Sequence, residues 1–179
     1  PRLVVHYASL YKLPSVYEVV DSYKEDVEAD FHQTVATMAK IPRSQAKTIN
    51  LGLFYGMGKA KLQAELGVTK DKAAELFNQY HATVPFVRQL MEKASNRAQE
   101  RGQIRTLLGR LCRFPLWEPN SFGMHKALSH EEALREHGPG IRRAYTYKSL
   151  NKLIQGSAAD MTKKSMLELY KEGIVAHIQ

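Results

Sequence analysis

Apolar residues recur along this chain mainly at helical spacing, so the hydrophobic pattern predicts a mainly α-helical protein. Residues 3–10 form a short apolar segment, and Ser15 with Glu18 has the spacing of a capping box for a helix over about 15–28. A second helix is expected from near Asp30 to Lys40, after which Pro42 stands where a proline can start another over about 43–57. Residues 58–66, 70–82 and 85–101 read as further helices, the last two separated by Val84-Pro85. Beyond Gly102 the character changes. From Ile104 to Phe114, apolar residues, arginines and a central Leu108-Gly109-Arg110 predict a hairpin or a pair of short strands. Residues 116–128 read as loop, and Ser129 with Glu132 caps a short helix that ends before Gly138-Pro139-Gly140. A long helical region is expected over about 142–172, bent or interrupted near Gly156, and residues 174–179 read as the start of a buried strand. The expected fold class is mainly α, with a small β-hairpin part.

The segment over 43–57 carries the most chemistry. Each i+4 step advances about 40° around a helix, so Arg43, Lys47, Leu51 and Tyr55 line one drifting face. Ala46, Ile49, Leu53 and Met57 fall on the opposite face and can anchor the helix to a core. Neighbouring Cβ atoms at this spacing lie about 5–6 Å apart, which suits two cations gripping successive phosphates. Tyr55, about 18 Å beyond Arg43 at 1.5 Å per residue, lies where a base or sugar could pack. A solvated basic face is the other reading of such a stripe. The ending, Tyr55-Gly56-Met57-Gly58, argues against it, because solvent has no use for an aromatic followed by two glycines that permit close approach.

Composition narrows the class. With 179 residues the chain can bury one good core or two small ones, and 44% apolar content without a long uncharged run indicates a soluble globular protein with no membrane span. A single cysteine, Cys112, excludes an internal disulfide and fits a reducing, cytoplasmic compartment. The net charge of +8 points to a polyanionic partner. Arg97, Arg101, Arg105, Arg110 and Arg113 cluster, and Arg142, Arg143, Lys148, Lys152, Lys163 and Lys164 lie near the last helix, whereas residues 16–30 are acidic. Such asymmetry suits a directed phosphate-binding surface. Residues 59–77, with Leu66-Gly67-Val68-Thr69, have the outline of a helix-turn-helix, which leaves a non-catalytic DNA-binding protein as one alternative. Leu-Gly-Val-Thr is equally a helix stop followed by an N-cap, and Lys70-Asp71-Lys72 offers little to read base edges.

Four segments together resemble the DNA polymerase I family, the family A DNA polymerases. Arg43-x3-Lys47-x7-Tyr55-Gly56 resembles the family's motif B, Asp30-Phe31-His32 its Asp-Ile-His element, Leu108-Gly-Arg110-Leu-Cys-Arg-Phe-Pro115 its Gly-Arg strand, and Asn151-x3-Gln155-Gly-Ser-Ala-Ala-Asp160 its Gln-Gly-Thr helix. Pro1 to Ala8 resembles the tail of motif A, and Ala176-His177-Ile178-Gln179 the lead-in to motif C. The resemblance thus implies a piece between those motifs: residues 1–29 as helices following motif A, 30–102 as fingers, and 103–179 as a return to an incomplete palm. A phage-type RNA polymerase, which shares motif B, is the second alternative, and Gln-Gly-Ser-Ala-Ala-Asp speaks against it.

What the resemblance implies for mechanism is specific. The partners are primer-template DNA, an incoming dNTP and the remainder of the polymerase chain, with no membrane. Mg²⁺ is the implied cofactor, held by aspartates absent from this sequence, so the isolated piece is expected not to polymerise. Asp30 and Asp160 are expected to cap and pack rather than bind metal. Lys47 is the implied catalytic residue, neutralising the triphosphate and protonating departing pyrophosphate, while His32 and Arg43 hold the outer phosphates and Leu51 and Tyr55 lie near sugar and base. Arg110, Asn151 and Gln155 are the implied DNA contacts, the two amides suiting minor-groove acceptors. Leu51 stands where the family usually has Phe or Tyr, and Tyr147 where many members have an Arg on the primer strand.

Overall fold

The computed structural model describes residues 1–26 and 28–174. They divide between two compact units, Pro1–Asn96 and Arg97–Gln179. Helices dominate both, with two short antiparallel strand pairs in the second unit. The mainly α expectation holds. No described helix is long and apolar enough to cross a membrane.

The first unit contains α1 (Arg2–Leu10), α2 (Tyr17–Glu25), α3 (Phe31–Ala39), α4 (Arg43–Phe54), α5 (Lys59–Leu66), α6 (Lys70–Thr83) and the greater part of α7 (Pro85–Arg101). Its core gathers buried residues from every helix but α2, which has none. Phe31 of α3 meets Phe54 of α4 and Phe86 of α7 with ring centroids 5.8 and 6.4 Å apart, and all three rings are buried. Truncating such a ring to alanine typically costs about 3–5 kcal/mol, so this trio fixes α3 against α4. Between those helices the chain turns in three residues. Lys40 adopts the left-handed region at φ 52°, and the Ile41 amide donates back to the Ala36 carbonyl at 3.0 Å. Pro42 then occupies the N-cap of α4, as its position before Arg43 predicted.

Two expectations about helix ends need correction. Ser15 and Glu18 do not form a capping box: Pro14–Val16 is a 3₁₀ turn, α2 begins at Tyr17, and the Ser15 hydroxyl is buried without a hydrogen-bond partner among the described residues. Pro14 presets the turn and Val16 is fully buried, so packing of Val16 places residue 15 inside the turn instead of at a cap. The helix carrying Arg43 ends at Phe54 rather than near residue 57. Gly56 takes φ 79°, its amide donates to Leu53 O at 3.1 Å, and Met57 N donates to Gly52 O at 2.9 Å, a Schellman stop. By contrast, Leu66-Gly67-Val68-Thr69 resolves as read: α5 stops at Leu66, and the Thr69 hydroxyl accepts from Lys72 N at 3.3 Å to cap α6.

In the second unit, β1 (Gln103–Arg105) pairs with β2 (Leu111–Arg113), Ile104 facing Cys112, which is the expected hairpin. A second pair joins β3 (Trp117–Pro119) to β4 (Ile141–Arg143), with α8 (His130–His137) between them in sequence. The capping box of Ser129 and Glu132 at the start of α8 is fully formed. A final helix, α9, spans Ser149–Lys171. Here the sequence misled in three places. Residues 116–128 include a strand, residues 141–148 are strand and 3₁₀ turn rather than helix, and α9 runs unbroken through Gly156. Long-range pairing decides the first two: Glu118 lies opposite Arg142 and the two form a 3.0 Å ion pair. Gly156 serves close approach, since a Cβ there would sit 2.8 Å from Thr106 Cγ2. Of the strand expected over 174–179, all but Ile174 lies outside the described residues.

Candidate functional site

His32, Arg43, Lys47, Leu51 and Tyr55 all belong to the first unit, on α3, α4 and the turn that closes α4. The two faces of α4 separate cleanly. Ala46, Ile49, Asn50, Leu53 and Phe54 are buried, whereas Arg43, Lys47 and Leu51 are exposed. Tyr55 is half-buried and follows the last helical residue, with φ −107° and ψ 16°. It therefore closes the helix as its C-cap rather than lying within it. Met57 also departs from expectation: its side chain folds back onto Gly52, where an added Cβ would overlap the Met57 thioether.

The cationic face is organised by one carboxylate. Asp30 caps α3 by accepting from the His32 backbone amide at 2.9 Å, and its Oδ2 accepts from Arg43 Nε at 2.6 Å while Arg43 Nη2 lies 2.6 Å from the same oxygen. This is a charge-assisted contact that aims the guanidinium. The Arg43 hydrogen bond, aided by the His32 amide, holds the Asp30 carboxyl below its ordinary value. The His32 ring is half-buried, and its Nδ1 lies 2.9 Å from Nδ2 of Asn50. Burial lowers the His32 pKa, Arg43 and Lys47 act in the same direction, and Asp30 opposes them.

Arg110, Asn151 and Gln155 belong to the second unit. Arg110 and Gln155 are exposed and Asn151 is half-buried. Arg110 follows the β1–β2 turn and is braced against α9: Nε donates to Asp160 Oδ1 at 2.7 Å and Nη2 to the Gly156 carbonyl at 2.9 Å. Asp160 is largely buried and also accepts from the Thr106 hydroxyl; these bonds, Thr106 first, hold its carboxyl below its ordinary value. The Leu107 amide donates to Ser157 Oγ at 3.0 Å. The turn and one face of α9 therefore form a single hydrogen-bonded block presenting Arg110.

Three groups of residues in these sites were not legible as such. Asn50 is one, although a carboxamide in the apolar stripe of Ala46, Ile49 and Leu53 is itself a signal. Thr106 is another; nothing local in the sequence announces its bond to Asp160. The third is Gln99, whose Nε2 donates to Arg143 O at 2.8 Å and Thr146 Oγ1 at 2.7 Å while its Oε1 accepts from Arg143 N at 3.0 Å. Arg143 itself lies over the Trp117 ring at 4.5 Å and donates to Phe114 O. It is consumed in structure, so the basic cluster near α9 is smaller than its count implies.

Residues 2–177 match the family model described as DNA polymerase family A. The chain is 32% identical over 220 aligned residues to a DNA-directed DNA polymerase of Pseudomonas phage M6, covering all of this chain and 30% of that protein. It is 31% identical over 139 residues to DNA polymerase I of Geobacillus stearothermophilus, covering 78% of this chain and 14% of that one. Among solved structures it is similar to the POL domain of Pol1 from M. smegmatis, determined in complex with DNA primer-template and dNTP. The TM-score is 0.60 at 24% identity, with 84% of this chain and 27% of that chain covered, a likeness of fold. The chain spans less than a third of the length of these relatives.

Proposed function

Because the chain belongs to DNA polymerase family A, we propose that it supplies the dNTP-gripping and primer-template-contacting part of a template-directed DNA polymerase. The observation that carries this reading is the division of α4: an apolar face buried in the core, and an opposite face that leaves Arg43 and Lys47 in solvent beside the α3 end bearing His32. In the proposed reaction the primer 3′ hydroxyl gives up its proton to solvent as its oxygen attacks the α-phosphorus, and the bond to pyrophosphate breaks. Lys47 neutralises the triphosphate and donates a proton to the departing pyrophosphate. Arg43 exchanges its Asp30 partner for outer phosphate oxygens, which its planar fork fits. Leu51 and Tyr55 border the sugar and base. In the second unit, Arg110 reaches the duplex near the primer terminus, and Asn151 and Gln155, one turn apart on α9, meet minor-groove acceptors.

The described residues do not fit the Mg²⁺ that this family resemblance implies. Among them no group of three or more His, Cys, Asp or Glu side chains could hold a metal ion, and the Asp30 and Asp160 carboxylates are each taken up by an arginine. We propose, as the family resemblance implies, that the metal ligands are aspartates outside this chain, and no step above passes through them. The chain alone is accordingly inactive: primer extension with Mg²⁺ and dNTPs is expected to give no product, and a single added nucleotide would contradict this.

The residues 30–102 are read as fingers and 103–179 as returning to the palm, with 1–29 leading in from motif A. The phage-type RNA polymerase and helix-turn-helix readings are less favoured, the relatives above being named DNA polymerases. The decisive experiment is Lys47→Ala in the intact polymerase. General-acid loss predicts kcat lower by at least about a hundredfold with duplex affinity nearly unchanged. Equal losses in turnover and DNA binding would remove the leaving-group role.

A further inference from the structure

Asn50 stands between Ala46 and Leu53 on the buried face of α4 and is wholly inaccessible to solvent. A carboxamide there costs about 1–3 kcal/mol unless hydrogen-bonded. Among the described residues its Nδ2 has one partner, His32 Nδ1 at 2.9 Å on the neighbouring α3, and its Oδ1 is buried with none. An amide nitrogen only donates. His32 Nδ1 must therefore accept, and the proton of the neutral imidazole sits on Nε2. That nitrogen makes no hydrogen bond among the described residues, and the residue is only half-buried.

Resting on the triphosphate-gripping reading above, we propose that Asn50 is a positioning residue for the incoming nucleotide: its buried carboxamide holds the His32 ring by Nδ1, so that Nε2 faces away from the core and offers its N–H to an outer phosphate oxygen. The choice of an amide has a further consequence. When a bound polyanion favours the imidazolium, Nδ1 gains a proton and needs an acceptor. The unpartnered Oδ1 of Asn50 becomes that acceptor by a half-turn of the amide, without backbone movement, so Nε2–H stays available in both charge states. The charged groups bearing on His32 are Asp30, which favours the imidazolium, and Arg43, Lys47 and the Pro1 amino group, which disfavour it. Bound phosphate adds to the Asp30 side of that balance. Leucine at this position would leave Nδ1 unpaired, and aspartate could only accept.

The test compares His32→Ala, Asn50→Ala and the double variant in the intact polymerase, with Asn50→Asp as the isosteric probe of the hydrogen bond and circular dichroism of every variant as the check on folding. Losing a hydrogen bond to a charged group corresponds to about tenfold, so Asn50→Ala is expected to raise KM for dNTP about tenfold, with kcat within about twofold of wild type. Added to His32→Ala, it is expected to cost less than about twofold more, because Asn50 acts only through the imidazole. Asn50→Asp is expected to shift the acid limb of the dNTP KM profile to higher pH, since a carboxylate favours Nδ1–H, and a structural role alone would not move it. A multiplicative loss in the double variant, or an unshifted profile in Asn50→Asp, overturns the proposal while leaving the nucleotide reading intact. Unchanged KM in His32→Ala removes both.

Discussion

At the residue scale, Asp30 links folding to the cationic face. One carboxylate closes the first turn of α3 and orients the Arg43 guanidinium at 2.6 Å. The two jobs separate by substitution. Asp30→Ala removes both and is expected to lower the unfolding free energy by about 1 kcal/mol in urea titrations, the usual loss at an N-cap. Asp30→Asn keeps a capping oxygen and is expected to cost less, since a solvent-exposed ion pair contributes about 0–1 kcal/mol. Equal costs for the two variants would mean that the cap contributes nothing. The pH dependence has a definite sign. The Asp30 and Asp160 carboxyls are both held below their ordinary value of 3.8, so the stability they add is complete above that value and is lost as pH falls through their lower folded values.

At the element scale, two glycines that look alike in sequence behave differently. Gly52 lies within α4, and an added Cβ there meets the flexible end of Met57, which can swing aside, while alanine in a helix is favoured over glycine by about 1 kcal/mol. At Gly156 the same Cβ meets Thr106 Cγ2 at 2.8 Å and Arg110 Nη2 at 3.2 Å. Thr106 is fixed by its bond to Asp160, so the hairpin must lift from α9. Thermal melts should show Gly52→Ala unchanged or slightly stabilised and Gly156→Ala destabilised by about 1–3 kcal/mol, the range for overpacking. The reverse order would mean that the hairpin is not seated on α9.

The same contrast explains what the sequence disclosed. Helices with local stop and start chemistry were legible to within a residue or two: Pro42 before α4, Leu66-Gly67-Val68-Thr69 between α5 and α6, and Ser129 with Glu132 at α8. The β1–β2 hairpin was legible because its turn is short. The β3–β4 pair was not, because its partners lie more than twenty residues apart and each strand has three residues. Ser15 misled because tertiary burial of Val16 outweighed a capping pattern. In the site, exposed cations at four-residue spacing were readable from α4 alone. Their supports were not: Asp30 to Arg43, Asn50 to His32 and Thr106 to Asp160 join residues 13, 18 and 54 apart, and no periodicity encodes such pairings.

At the scale of the whole molecule, the +8 charge overstates the free cationic surface. Arg43, Arg110 and Arg142 are paired with carboxylates, and Arg143 and Lys152 lie over the rings of Trp117 and Phe114. In the proposed function, what matters is which cations exchange their partners for phosphate, and the proposal gives that task to the α4 face. The most direct measurement is a crystal structure of the intact polymerase with primer-template and a non-hydrolysable dNTP. The expected result places triphosphate oxygens within about 3.2 Å of Arg43, Lys47 and His32 Nε2. A triphosphate held by other residues, with Arg43 still on Asp30 and Lys47 in solvent, would contradict the account.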